Sequence, residues 1–185
     1  GDVRDKKLLE DIFEEFILKK EPIEGVIHLA GLKSVAESLK DPISYWDVNV
    51  NGTFNLIKVM EKYNCKILVF SSSATIYGSQ DNIPISENAT INPLNPYGNT
   101  KAVTEKLLSD IAGCKDTKTI KEDSNKDWKI ARLRYFNPVG AHESALIGEL
   151  PKGVPDNLVP YITQTAAGIR EGLSVFGKDY NTHDG

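Results

Sequence analysis

Apolar side chains fall at positions 8, 9, 12, 13, 16 and 17, with Glu and Lys on the other face. Spacing by threes and fours predicts an amphipathic helix over residues 6–20. The period then changes. EGVIHLAG (24–31) is a short apolar run ending in small residues, which predicts a buried strand meeting a loop. Helical spacing returns over 42–62 through Tyr45, Val48, Leu56, Val59 and Met60, with Pro42 at a suitable first helical position. KILVFSSS (66–73) predicts a second buried strand, again ending in small polar residues. Residues 79–96 hold three prolines and several Asn and predict a loop, after which NPYGNTK opens a helix running to about 111. The polar stretch 113–127 predicts a surface loop, and WKIARLRYFN (128–137) a third strand. A Gly- and Pro-rich loop extends to 156, then a helix over roughly 157–170 and a last strand at LSVFG (173–177). No internal repeat interrupts this order.

Strands alternating with helices predict βαβ units and a parallel sheet. Ligands bind such sheets at the carboxyl ends of the strands. Here those ends are HLAG, FSSS and YFNPVG, which are therefore the places to look for chemistry.

Composition narrows the function classes. The 185 residues carry a net charge of −4, with no basic stripe of the kind that nucleic-acid binders show. No apolar run approaches the about 20 residues needed to span a bilayer, and the opening GDVRDKKLLED has no apolar stretch that would make it a signal peptide. Cys65 and Cys114 form no motif and read as thiols in a reducing cytosol.

NPYGNTK places Tyr97 and Lys101 four residues apart at a helix start, on one helical face. A free phenol titrates near ~10, and a neighbouring cation favours its anion, so the spacing suits a tyrosine used in proton transfer. Taken alone, the pair reads better as a core tyrosine beside a solvated lysine, an arrangement that chance often produces. Ser73, at the end of FSSS, is either a strand leaving the core or a hydroxyl aimed into the strand-end crevice. Ala30 and Gly31 would let a flat ligand approach the backbone. Lys33 is either solvated or a partner for phosphate or ribose.

Together the three sites resemble an extended short-chain dehydrogenase/reductase. GDVRD, HLAGLKSVAES, NVNGT, FSSSATIYG, NPYGNTK, RYFNPVGAH and PDNLVPYI…VFGKDY…DG resemble, in order from residue 1 to 185, the UDP-glucose (UDP-galactose) 4-epimerase family. The resemblance implies NAD as a tightly bound cofactor and a UDP-sugar as substrate. It implies Tyr97 as catalytic base, Lys101 as the residue that binds the nicotinamide ribose and lowers the tyrosine's pKa, and Ser73 as the group that hydrogen-bonds the sugar 4-oxygen and helps relay its proton. It places Asp2 and Val3 at adenine, and Leu29, Ala30, Gly31, Leu32, Lys33 and Ser71 along the cofactor. Phe136 falls beside the nicotinamide. Lys33, Ala74, Thr75, Asn137, Asn157, Leu158, Ser174, Val175 and Phe176 fall on the sugar nucleotide. Asn49 matches an asparagine near the cofactor, with a purely structural role equally open. Ala74 and Thr75 stand where 4,6-dehydratases of the same superfamily carry an acidic pair.

The pattern is also broken. No GxxGxxG loop occurs, and Val48 replaces a second asparagine. The sequence stops at Asp184 and Gly185, before an arginine expected on the diphosphate. The implied fold class is therefore α/β, a partial Rossmann-type doubly wound parallel sheet lacking its first strands and most of the C-terminal substrate lobe. Residues 1–140 would be the partial NAD-binding domain and 141–185 the start of the substrate lobe. Such a piece would bind NAD weakly and leave a sheet edge unpaired. A homodimer through 42–62 and 96–111, a cytoplasmic location and a place in galactose metabolism complete the expectation. Two other readings stay open at this point: a related nucleotide-sugar enzyme for N-acetylated or uronic sugars, and a non-catalytic nucleotide sensor.

Overall fold

A computed structural model of the chain describes residues 1–113, 128–177, 179 and 183. Beyond Gly113, the loop expected at 113–127 lies outside the described residues, as do Asp184 and Gly185. The chain divides into two compact units, Gly1–Phe136 and Asn137–Gly185.

In the first unit, β1 (Val26–His28), β2 (Ile67–Ser73) and β3 (Lys129–Tyr135) form one parallel sheet in the order β1–β2–β3. Val26 lies opposite Leu68 and His28 opposite Phe70. On the other edge, Ile67 lies opposite Lys129 and Ser73 opposite Tyr135. Parallel neighbours need crossovers, and helices supply both. The strand expected over 24–31 contracts to three residues, because Gly25 precedes it and the small Ala30–Gly31 pair turns the chain away.

Helix α1 (Lys6–Leu18) starts where Asp5 accepts a hydrogen bond from the Leu8 amide at 3.0 Å. Its stripe is only partly buried. Phe13 enters the core and stacks on Tyr63 with ring centroids 5.4 Å apart, whereas Ile12, Phe16 and Ile17 stay exposed. The short α2 (Val35–Lys40) is absent from the expected elements, although S-x-x-E (Ser34 to Glu37) caps it, Ser34 Oγ accepting from the Glu37 amide. The helix expected over 42–62 is three segments: α3 (Pro42–Tyr45), a π turn (Trp46–Asn51) and α4 (Gly52–Lys62). A 3₁₀ turn (Ala74–Tyr77) comes after β2, and α5 (Pro96–Ile111) runs as expected. Asn95 caps α5 by accepting from the Gly98 amide at 2.8 Å, with Pro96 in the first turn.

The core lies between the sheet and these helices: Phe13, Leu56, Ile57, Val59, Met60, Cys65, Leu68, Phe70, Leu108 and Trp128. Each fully buried side chain of this size contributes about 1.5–3 kcal/mol. In the second unit, α6 (Leu158–Ala166) occupies most of the helix expected at 157–170. The strand expected at 173–177 does not form. No described segment offers it a ladder, and Val175 and Phe176 are exposed. Among the described residues, no helix is long and apolar enough to cross a membrane.

Candidate active site

The π turn is the hub that sequence periodicity hides. Adding a residue to one helical turn rotates every later side chain about the axis, and such turns recur at functional sites. Asn49, buried in this turn, accepts from the Leu32 amide at 2.8 Å and donates to the Leu32 carbonyl at 3.0 Å and to Thr100 Oγ1 at 3.1 Å. Both of its N–H groups are thus used, so the side chain ties the loop after β1 to α5 and has no donor left for a ligand. Asp47 in the same turn accepts from Arg4 at 2.8 Å. Arg4 also grips both oxygens of Asp2 and holds that carboxyl down at about 2. Gly52 lets this first segment dock: a Cβ there would come within 2.6 Å of Val3 Cγ2.

Behind the hub, Thr53 Oγ1 donates to the Asn49 carbonyl at 2.6 Å, and His28 Nε2 lies 2.9 Å from Thr53 Oγ1. With the threonine proton committed, the imidazole is the donor, which fixes the Nε2–H tautomer. Burial, together with the charge of Lys101, pushes the His28 pKa down to about 4, so the ring is neutral at physiological pH.

Tyr97 and Lys101 do share a face at the start of α5, and both are buried. Lys101 is only 6% exposed, which removes the solvated alternative. Its Nζ donates to the Ser71 carbonyl at 2.9 Å and lies 5.0 Å from the Phe70 ring and 5.8 Å from the Tyr97 ring. Burial lowers its pKa to about 8. Two of its three N–H groups have no acceptor among the described residues. Gly31 reaches the same point: a Cβ on it would stand 3.0 Å from Asn49 Oδ1 and 3.7 Å from Lys101 Nζ. The open backbone at Gly31 and the spare ammonium donors suit the ribose and flat ring of a dinucleotide. The small residue after the tyrosine is likewise explained. A Cβ on Gly98 would meet the Thr75 carbonyl oxygen at 3.0 Å, so only glycine seats α5 against the turn after β2.

Ser73, 7% exposed, ends β2 and caps that turn, its Oγ accepting from the Thr75 amide at 3.2 Å and from Thr75 Oγ1 at 2.9 Å.

Sequence reasoning missed the clamp beneath. Glu105, 2% exposed, receives Ser72 Oγ at 2.5 Å and the Arg134 guanidinium at 2.7–3.2 Å, and Arg134 also donates to Tyr77 Oη at 2.7 Å. The clamp fixes α5 to β2 and β3. Its only sequence signal is opposite charges 29 positions apart, too little to single out.

Contacts therefore bring together Gly31, Leu32, Asn49, Ser71, Tyr97 and Lys101, while Asp2 reaches the π turn through Arg4 and Val3 rests against Gly52 of α4. Leu29, Ala30, Lys33 and Phe136 are exposed, Phe136 lining a groove along β3 with Arg132 and Tyr135. Asn137, Asn157, Leu158, Ser174, Val175 and Phe176 lie in the second unit. There Asn157 donates to Glu149 at 2.9 Å, and 174–176 are exposed.

The whole chain is 48% identical to a UDP-glucose 4-epimerase of Dictyostelium discoideum and to a bifunctional UDP-glucose and UDP-xylose 4-epimerase of Pisum sativum, covering 49% of each. Among solved structures it superposes on the UDP-glucose-4-epimerase of Stenotrophomonas maltophila, determined with NAD and formylated UDP-arabinopyranose, with a TM-score of 0.86 and 48% identity, over 100% of this chain and 50% of that one. The Bifidobacterium longum UDP-glucose 4-epimerase with NAD+ and UDP gives 0.82 and 45%, over 100% and 51%. The chain thus spans about half the length of the relatives it matches. Its fold is the partial Rossmann-type α/β arrangement that these neighbours share, and because the family described as GDP-mannose 4,6 dehydratase is matched across residues 1–185, the chain belongs to that family.

Proposed function

We propose that the chain is the cofactor-binding half of an NAD-dependent UDP-sugar 4-epimerase acting between UDP-glucose and UDP-galactose. The observation that carries this reading is the buried Lys101, pinned by Ser71 beneath the Tyr97 ring with two donors to spare. When bound, NAD supplies a reversible hydride sink for the sugar C4, so that the configuration inverts without net redox. Tyr97 takes the proton of the 4-hydroxyl and returns it after the sugar has turned. Lys101 offers its free N–H groups to the nicotinamide ribose, and Gly31 admits the ring. Ser73 hydrogen-bonds the 4-oxygen. Asn49 positions the Leu32 backbone. Asp2 and Val3 stand at the adenine end, and the second unit begins the substrate lobe.

The family's description names a dehydratase, but elimination needs an acid beside the strand-end serine. Ala74 and Thr75 stand at those positions and neither can supply one. The epimerase reading also carries a cytoplasmic place in galactose metabolism and a homodimer through 42–62 and 96–111. On those stretches Trp46, Phe54 and Val103, each 40–43% exposed, offer apolar area.

The test is 4-epimerisation of UDP-galactose and UDP-N-acetylgalactosamine by the intact protein, with Tyr97→Phe alongside. The variant is expected to lose about 10²–10⁴ in kcat. A wild type inert on both sugars refutes the enzyme, and full activity in Tyr97→Phe refutes the base.

A further inference from the structure

The loop that leaves β1 is tied at both ends to one residue of the π turn. At its exit, the Leu32 amide and carbonyl bond the Asn49 side chain at 2.8 and 3.0 Å. At its entry, His28 is the last residue of β1, and its Nε2 lies 2.9 Å from Thr53 Oγ1, which donates to the Asn49 carbonyl at 2.6 Å. His28, Asn49 and Thr53 are all buried. Between the two ties, the Gly31 backbone rests beside Asn49 Oδ1 and Lys101 Nζ.

The entry tie does not serve the elements it joins. His28 has its ladder place opposite Phe70 whatever its side chain. Replacing a bonded polar pair by apolar groups of the same shape is often nearly neutral for stability. A threonine that back-bonds the carbonyl four residues earlier slightly destabilises and bends its helix. Here the bend falls where α4 leaves the π turn, and the residue it acts on is the one that holds Leu32. Hydrogen bonds in such a buried series also strengthen one another.

We propose that His28 is a positioning residue for the cofactor: through Thr53 it fixes the Asn49 backbone, so that residues 29–31 are held at both ends and Gly31 stays open to the nicotinamide ring. This rests on the NAD-binding part of the proposed function. The imidazole exchanges no proton with the substrate. Its contribution is to cofactor affinity and not to the chemical step, which separates it from Tyr97 and Lys101.

The test uses the intact protein as wild type, His28→Leu, His28→Gln, Thr53→Val and His28→Leu/Thr53→Val. Glutamine keeps a neutral N–H group at about the reach of Nε2, whereas leucine and valine fill space without one. NAD affinity of the nucleotide-free protein, read by calorimetry, is expected to fall roughly tenfold in His28→Leu and in Thr53→Val, the worth of one buried hydrogen bond. The double variant is expected to lose no more than either single one, because both break the same tie. At saturating NAD, kcat should stay within about twofold. His28→Gln should recover most of the affinity. Unchanged affinity in His28→Leu, losses that add in the double variant, or a glutamine variant as weak as the leucine one would each overturn the proposal. So would a lower thermal midpoint with NAD affinity intact, which is what a merely structural histidine gives. Thr53→Val carries the same comparison if His28→Leu does not fold. A wild type that binds no NAD refutes the proposed function itself, and amide exchange then decides on the tie. Faster exchange over 29–33 in both single variants, with β2 unchanged, supports it, and unchanged exchange there rejects it.

Discussion

A methyl group at position 98 would stand 3.0 Å from the Thr75 carbonyl oxygen and 2.9 Å from Pro93 Cβ. Alanine favours a helix over glycine by about 1 kcal/mol, whereas overpacking of this kind costs about 1–3 kcal/mol. The clash wins, because one neighbour is backbone and the other a proline. Gly98→Ala is therefore expected to lower the thermal midpoint by a few degrees, and to lower kcat more than its stability loss accounts for, since Tyr97 moves with the helix start. A raised midpoint would show that α5 shifts freely. Lys101 gives a second prediction, on pH. Burial lowers its folded pKa from the ordinary 10.5 to about 8. Between these values the unfolded chain binds more protons than the folded one, so the contribution to stability rises with pH across that window. Below pH 8 the cost of burying the ammonium is carried in full, about 3 kcal/mol. Lys101→Met should remove this rise. Urea unfolding of both proteins from pH 7 to 10.5 checks it, and parallel stability curves would refute the burial. The spacing of Tyr97 and Lys101 was legible in the sequence, but this burial was not, since it depends on Phe70 and Ser71 on a strand 30 residues earlier.

At the scale of elements, what could be read was what period and caps encode. Helix α1 was legible from its apolar spacing and α5 from the Pro- and Asn-rich loop that NPYGNTK ends, and the structure adds Asp5 and Asn95 as their caps. The π turn was not, because it shifts the phase inside a run whose ends look helical, and because its buried residue, Asn49, is polar. LSVFG had the composition of a strand but no ladder, and composition without a partner makes no sheet. Glu105 looks like a solvated helix residue, yet it holds Arg134 within the fold. Glu105→Leu leaves that guanidinium, 17% exposed, without its carboxylate, and the expected cost is about 3–5 kcal/mol. Glu105→Leu with Arg134→Met should recover much of it, because two apolar groups leave no orphan charge. Chemical denaturation of the three proteins measures the cycle, and additive losses would mean that the pair is not coupled. Asn49→Ala should act differently. It frees the Leu32 amide and carbonyl, both outside regular structure, so the NAD affinity measured with a glycine-turn polypeptide supplied in trans should fall by roughly tenfold or more, for a stability loss of about 1–3 kcal/mol. NAD titration beside thermal unfolding separates the two effects.

At the scale of the whole molecule, cofactor affinity depends on groups of two kinds. On the proposed reading, the chain supplies those that orient the nicotinamide end: Gly31 after β1, and Tyr97 and Lys101 at the start of α5. A dinucleotide is held chiefly at its pyrophosphate, by backbone amides of a glycine-rich turn opening a helix. No GxxGxxG occurs among the 185 residues. Of the described helix starts, those of α1, α5, α2 and α3 are already occupied by the side chains of Asp5, Asn95, Ser34 and Asp41. One or two hydrogen bonds from Lys101, each worth about 1.5–3 kcal/mol as charge-assisted contacts, leave at most about 2 kcal/mol after the about 4–15 kcal/mol cost of lost translation and rotation on binding, well short of the about 8 kcal/mol of micromolar affinity. The 185-residue chain alone is therefore expected to show no NAD binding at micromolar concentrations by calorimetry. Addition in trans of a polypeptide bearing a strand, a GxxGxxG turn and a helix is expected to restore it, since β1 pairs only with β2 among the described strands and Ile27 and Leu29 are 70% and 68% exposed beside its free edge. Micromolar heat from the chain by itself would mean that the pyrophosphate is gripped by groups other than a glycine turn, and the lysines at 33 and 101 would be the first to exchange for methionine.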